Sequence, residues 1–179
     1  MPQSMAPLDF NVEFPFDGRT ALARPATWDD VEPLRLWKNA NRHAFFHRDE
    51  IAPEGQRAWF EAFSKRTDAQ MFMLELEGAA LGCVGFRFVA PGSVELFNLI
   101  LGKQSVGDAP ILRRGLMSAF YGALEAELAG RGVRRVELRV LRTNEAGIAF
   151  YTRHGFTRYD APDDGESLAL EKSLEGPRS

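Results

Sequence analysis

The sequence predicts a single α/β domain built on a mixed sheet flanked by helices, and three observations carry that prediction. Strand-like and helix-like periods succeed one another as a strand, two helices, three strands, a helix, a strand, a helix and two strands. The chain has 179 residues, the size of one ordinary domain, and a fold of this size hides roughly 70% of the surface its unfolded chain exposes. It is 45% hydrophobic and 26% charged, with one cysteine, so its core must come from apolar burial rather than from disulfides.

Residues 1–18 carry three prolines and scattered Phe10, Phe14 and Phe16 without periodicity, which predicts an irregular leader whose rings tuck against the body. The domain itself is expected over 19–175, with 176–179 as a tail. Residues 20–26 read as a strand; Thr27, Asp29 and Asp30 then offer capping side chains ahead of Val31, Leu34 and Trp37 at helical spacing. A second helix is expected over 53–65, because proline is tolerated at a helix start and Trp59, Phe60 and Phe63 share one side. Residues 41–51 between these helices show no clear period. Strands follow over 70–76 and 80–89, joined by a turn at Glu77-Gly78, and a third over 94–101 is apolar except for Glu95 and Asn98. The longest helix is expected over 109–129 on the stripe Leu112, Leu116, Phe120, Leu124 and Leu128, stopped by Gly130 and Gly132. Residues 133–141 alternate as a strand, 145–154 form a short helix closed by Gly155, and two strands over 156–159 and 167–174 flank an acidic turn. His154 reads as a helix-end cation.

The formal net charge of −3 argues against wholesale attraction to nucleic acid. No apolar run approaches the roughly 20 residues of a membrane span, and the first ten residues lack the features of a signal peptide, so a cytoplasmic protein is expected. Cys83 lies in an apolar run and reads as a buried, inert thiol. His43 and His47 are four apart, but no third metal ligand accompanies them and no metal is expected.

Two junctions carry chemistry. The first is the strand ending at Leu101-Gly102, followed by Lys103, Gln104, Ser105, Val106, Gly107, Asp108 and Ala109 at the opening of the long helix. Such a turn presents backbone N–H groups and the positive end of a helix dipole, which suit a phosphate. Taken alone, the same residues suit better an ordinary connection capped by Asp108 and started by Pro110. The second junction runs from Asn144 through Tyr151 to Gly155 and Phe156.

Taken together and in this order, the two junctions resemble those of the GCN5-related N-acetyltransferase (GNAT) superfamily. Its Gln/Arg-x-x-Gly-x-Gly/Ala turn is matched by Gln104, Gly107 and Ala109, and its Asn…Tyr…Gly-Phe pattern by Asn144, Tyr151, Gly155 and Phe156. The front half, around residues 34–39 and 56–60, is similar to the branch that holds ribosomal-protein N-terminal acetyltransferases and nucleotide-amino-sugar N-acetyltransferases. The resemblance implies a centrally splayed sheet and acetyl-CoA as co-substrate. It implies that the amides of Gln104, Ser105, Val106, Gly107, Asp108 and Ala109 hold the pyrophosphate. The backbone of Leu99, Ile100 and Leu101 would then pair with the pantetheine arm, and Asn144 would cap the following helix or stand beside the arm, two compatible roles. Asp108, Ala109 and Pro110 depart from the common pattern by adding a carboxylate, replacing a glycine and removing an N–H.

Acetyl transfer needs a neutral amine, a stabilised oxyanion and a proton for the departing thiolate. The resemblance places Glu95 as the proton acceptor, where an apolar setting would raise its pKa, or alternatively as a strand-end carboxylate facing water. It places Tyr151 as the acid. Asn98 differs in strand parity from Glu95, so the two share a face only if a bulge intervenes. The resemblance makes the first two helices and their loop the acceptor wall, with Trp37, Arg42, His43, Phe46, Arg48, Trp59 and Asn98 as its residues; core packing accounts better for Trp37 and Trp59, and Arg42 and Arg48 suit a phosphate on the acceptor. The expected acceptor is the primary amine of a small molecule, a nucleotide-linked amino sugar among the candidates, attacked directly because Cys83 is poorly placed to carry an acyl group. A protein N-terminus is the alternative, and a non-catalytic acyl-CoA-binding or scaffold protein is the alternative of another class. An exposed sheet edge and the leader offer surfaces for a homodimer.

Overall fold

The computed structural model describes residues 6–102 and 115–174. Among them run β1 (Val12–Phe16), β2 (Arg19–Pro25), α1 (Val31–Ala40), α2 (Pro53–Phe63), β3 (Ala69–Leu76), β4 (Ala79–Ala90), β5 (Ser93–Leu101), α3 (Leu116–Gly130), β6 (Arg135–Leu141), α4 (Glu145–Arg153), β7 (Thr157–Arg158) and β8 (Ser167–Ser173). The strands form one sheet in the order β1-β2-β3-β4-β5-β6-β8-β7. All neighbours are antiparallel except β5 and β6, which run parallel.

The expected α/β class and the order of elements from β2 onward hold, with element ends shifted by a residue or two; the expected start of the long helix lies outside the described residues, which show it from Leu116. The leader is corrected: it contains β1, which pairs with β2 from Val12↔Ala23 to Phe16↔Arg19. Two local facts explain the difference. Pro15 sits on an edge strand, where its missing N–H costs no ladder bond. Asp17-Gly18 then turns the chain with φ of 48° and 71°, the left-handed pair that a tight hairpin demands. Phe10 and Phe14 are buried, as the leader's rings were expected to be.

The period-two alternation of β3 divides the core. Phe72, Leu74 and Leu76 join α3 and α4 on one face, through Leu116, Phe120, Tyr121, Leu124, Leu128 and Phe150. Ala69, Met71 and Met73 join Leu34 and Trp37 of α1 and Phe63 of α2 on the other. Four of the five expected stripe residues of the long helix are therefore core; Leu112 lies outside the described residues. His154 is corrected from a helix-end cation. Its ring is half-buried, lies 3.0 Å through Nε2 from the Ser118 hydroxyl and packs on Tyr121 and Phe150, and burial lowers its pKa.

Asp30, just before α1, anchors that helix to the sheet. Arg24 of β2 donates to both its carboxylate oxygens at 2.7 and 3.0 Å, and the Thr27 N–H donates at 2.7 Å. Burial alone would raise the Asp30 pKa, but these hydrogen bonds and the guanidinium charge hold it below the usual carboxylate range.

Candidate active site

The centre of the sheet is where the chain departs from regular pairing. β5 and β6 pair only from Ser93↔Arg135 to Glu95↔Glu137, so beyond Glu95 the facing edge of β5 has no strand partner among the described residues. On its other edge β5 carries a bulge. Gly85 pairs with Phe97 and Cys83 with Ile100, so Asn98 and Leu99 oppose the single residue Val84. Asn98 takes φ of 50°, a left-handed conformation that asparagine tolerates better than most residues. The bulge resolves the parity conflict, and Glu95 and Asn98 face the same cavity.

That cavity, ≈ 770 Å³, opens between the diverging strands. β5 contributes Glu95 through Leu101, β6 contributes Arg139 and Val140, and α4 contributes Asn144, Ala146, Gly147 and Tyr151. Lys38 of α1 and His43, Phe46 and His47 of the following turn close the remaining side. A second pocket of ≈ 370 Å³ adjoins it between α1, α2 and the sheet, and the two share Lys38, His47, Asn98 and Ile100.

Each expected residue has a definite place or lies outside the described residues. Glu95 is half-buried, but its setting is not the apolar one expected. Arg87, its cross-strand partner, donates to Oε2 from Nε at 3.0 Å and Nη2 at 2.7 Å. Tyr151 is buried between Phe150 and Phe156 and lines the cavity, and burial raises its pKa. Asn144 caps α4 by accepting from the Gly147 N–H at 3.0 Å while also lining the cavity. Leu99, Ile100 and Leu101 lie on the stretch of β5 whose edge away from β4 has no strand partner among the described residues. Gln104, Ser105, Val106, Gly107, Asp108 and Ala109 lie outside the described residues, as do Lys103 and Pro110.

On the expected acceptor wall, His43, Phe46 and Asn98 line the large cavity. Trp37 does not: it is buried in the core, where a Cβ on Gly102 would stand 2.4 Å from its indole. Arg42 and Arg48 are exposed and line neither cavity. Cys83 is fully buried, donates weakly to the Asn98 carbonyl at 3.4 Å and is pushed up to about 12 by burial, which keeps it an inert thiol. The described residues contain no cluster suited to a metal ion and no helix long and apolar enough to cross a membrane.

The sequence reading missed three polar groups. Lys38 donates to Asn98 Oδ1 at 2.5 Å and lies 3.5 Å from the centre of the Phe45 ring, and desolvation lowers its pKa to about 8. It follows Trp37 directly on α1, and the apolar period alone leaves such a residue on a solvated face. Arg139 and Asp164 meet at the cavity rim at 3.4 Å, because the acidic turn after β7 folds back onto β6. Hydrogen bonds from Ser167 and the Glu166 N–H hold the Asp164 carboxyl down to about 2. That contact depends on strand order, which residue spacing does not reveal.

This arrangement has known counterparts. The chain matches the sequence model of the Acetyltransferase (GNAT) family over residues 34–156. Comparison with curated protein sequences finds no match. Among solved structures, the GNAT domain of S. lividans PAT is similar at TM-score 0.67 and 23% identity, over 94% of this chain and 99% of that one. PaiA N-acetyltransferase from Thermoplasma acidophilum, solved in complex with coenzyme A, is similar at TM-score 0.67 and 17% identity, over 86% and 99%. Ribosomal-protein-alanine N-acetyltransferase from Brucella melitensis is similar at TM-score 0.65 and 20% identity, over 85% and 99%. With its sheet splayed beyond Glu95 and Asn144 and Tyr151 on the wall of the opening, the chain belongs to the GNAT family of acetyltransferases, acyl-CoA-dependent enzymes that use acetyl-CoA as co-substrate.

Proposed function

We propose that the protein moves an acetyl group from acetyl-CoA directly to the primary amine of a small molecule, a nucleotide-linked amino sugar among the candidates. The observation that carries this reading is the unpaired edge of β5 facing a cavity that continues into a second, smaller pocket. A pantetheine arm carries two amides, and a strand edge without a partner supplies main-chain donors and acceptors in that pattern. Leu99, Ile100 and Leu101 would hold the arm, Asn144 would stand beside it, and residues 104–109 would meet the pyrophosphate. A pocket of ≈ 370 Å³ lies within the range of small-molecule sites.

Glu95 takes the proton from the attacking amine, directly or through water. Arg87 engages only its Oε2 among the described residues, which leaves Oε1 to accept. Tyr151 gives a proton to the departing thiolate. Its raised pKa keeps the phenol protonated at neutral pH, and the same apolar surroundings raise the proton affinity of a thiolate beside it.

Calorimetric titration with acetyl-CoA, free CoA and ATP tests the co-substrate, and a thiol-release assay against small amines and an N-terminal peptide tests the acceptor. Preference for the CoA compounds and turnover with small amines support the reading. Turnover with the peptide alone moves it to protein N-termini. Cofactor binding without transfer to any amine moves it to a non-catalytic acyl-CoA-binding protein.

A further inference from the structure

The second pocket is lined mostly by apolar residues; its polar lining is Lys38, His47, Gln56 and Asn98, of which Gln56 and Lys38 have donors left for a ligand. Leu34, Ile51, Trp59, Met71 and Ile100 form the apolar lining, and the indole of Trp59 is held flat by stacking on Phe63 at 4.8 Å and 19°. The first of these two is Gln56. Its residue is 6% exposed, and its carboxamide makes no hydrogen bond among the described residues, although α2 buries it against the pocket. The amide is reached through the pocket rather than sealed from solvent, so it is available to pair with a group that enters. The second is Lys38, at the junction with the large cavity. Its ammonium has one hydrogen bond, to Asn98, and no carboxylate within ion-pair distance among the described residues. Lysine has three N–H donors, so at least one remains for a ligand.

These groups select the acceptor. An ammonium at the mouth of the pocket repels an amine that carries no negative charge, and a single carboxylate next to that amine cancels the repulsion. One ammonium matches one carboxylate, whereas a phosphate dianion carries twice the charge of the one lysine that lines the pocket among the described residues. The apolar lining then takes a large side chain, and Gln56 takes a hydrogen-bonding group at its end.

Resting on the acetyltransferase reading above, we propose that the acceptor is a free α-amino acid with a large, mainly aromatic side chain that ends in a hydrogen-bonding group. Its carboxylate lies on Lys38 and its side chain between Trp59 and Gln56. The α-amine, one carbon from the carboxylate, is thereby held at the junction of the two cavities, on the side of Asn98 and Tyr151. Lys38 and Gln56 act as specificity-determining residues.

The probes are L-tryptophan, L-phenylalanine, tryptamine and glucosamine with acetyl-CoA, followed by thiol release. Tryptophan is expected to exceed tryptamine in kcat/KM by roughly 10- to 100-fold, the worth of one hydrogen bond to a charged group. Lys38→Met should abolish that ratio. Gln56→Leu should remove the advantage of tryptophan over phenylalanine. Calorimetry of each variant with CoA, together with its Tm, separates loss of specificity from loss of fold. Preference for tryptamine or glucosamine, or a tryptophan-to-tryptamine ratio that survives Lys38→Met, overturns the inference and leaves the acetyltransferase reading intact. Absence of transfer to every amine despite CoA binding overturns both.

Discussion

At the N-terminal end of α1, Asp30 is buried with every strong interaction a carboxylate can use. It meets Arg24 through two hydrogen bonds, accepts from the Thr27 N–H, and its partner Arg24 is further held by Glu75 at 2.6 Å. At the other end, Lys38 is desolvated with a side-chain oxygen and an aromatic face but no carboxylate among the described residues. The helix thus carries one satisfied charge and one unsatisfied charge on the same scaffold. A satisfied buried charge fixes the position of an element, and here it fixes α1 against β2. An unsatisfied one keeps interaction energy in reserve for a ligand, which is why strongly perturbed groups gather in clefts. Tyr151 belongs with Lys38 in this division, since its hydroxyl has no hydrogen bond among the described residues and its residue lines the cavity.

The comparison is tested hardest at Asp30. Replacing it with alanine leaves Arg24 partly buried and without its main partner, and breaking such a pair costs about 3–5 kcal/mol. At this chain size that lowers Tm by roughly 6–20 °C. The wild-type protein should also be acid-labile in a defined direction. The Asp30 pKa lies below its ordinary value in the fold, so its contribution is complete above the ordinary carboxylate range and is lost as pH falls through the lowered folded value. Urea unfolding at several acidic pH values reads the slope, which should shrink in Asp30→Ala.

Tyr151→Phe sharpens the other half. Removing a hydroxyl that holds no protein partner should leave Tm and CoA binding unaltered, whereas loss of the acid lowers kcat by about 10²–10⁴. A variant with normal kcat, or one whose Tm falls by as much as that of Asp30→Ala, would place Tyr151 with the scaffold.

Gly102→Ala strikes between the two ends. The new Cβ would stand 2.4 Å from the Trp37 indole, which is buried beside Lys38 and has little room to yield. A cost of about 1–3 kcal/mol is expected from this overpacking. A fall in transfer should accompany it, because any shift of Trp37 moves the end of α1 that carries Lys38.

The satisfied parts of this molecule were the legible ones. Strand alternation, the stripe from Leu116 to Leu128 and the cap at Asn144 express local periods, and the structure reproduces them. β1 was hidden because Pro15 masks a strand whose only protection is its place at the sheet edge. Within the cavity, the pairing of Glu95 with Asn98 was legible as a condition, since strand parity demanded a bulge and Asn98 supplies it. The ion pair of Glu95 with Arg87 was not, because register between β4 and β5 is set by that same bulge and by the turn preceding β5. Lys38 and Gln56 stood one position off or inside apolar periods, where sequence distinguishes neither a solvated head from a desolvated one nor a paired amide from an unpaired one.

The gentlest test uses Lys38 itself. In the folded protein its pKa is lowered from 10.5 to about 8, so between these values the unfolded chain holds a proton that the folded chain has released. Stability therefore rises with pH across that window; the penalty of burying the charge is fully present below pH 8 and is relieved as the group becomes neutral. Lys38→Met removes that penalty at every pH. Against wild type at pH 7 it should gain a few degrees in Tm, with each kcal/mol worth about 2–4 °C at this size. The loss of a donor to Asn98 Oδ1 offsets part of the gain. The difference between the two proteins should close as pH is raised toward 10, since both then carry an uncharged side chain at the junction. A difference that stays constant with pH would mean that Lys38 holds its proton through a partner, and the contrast between the two ends of α1 would then disappear.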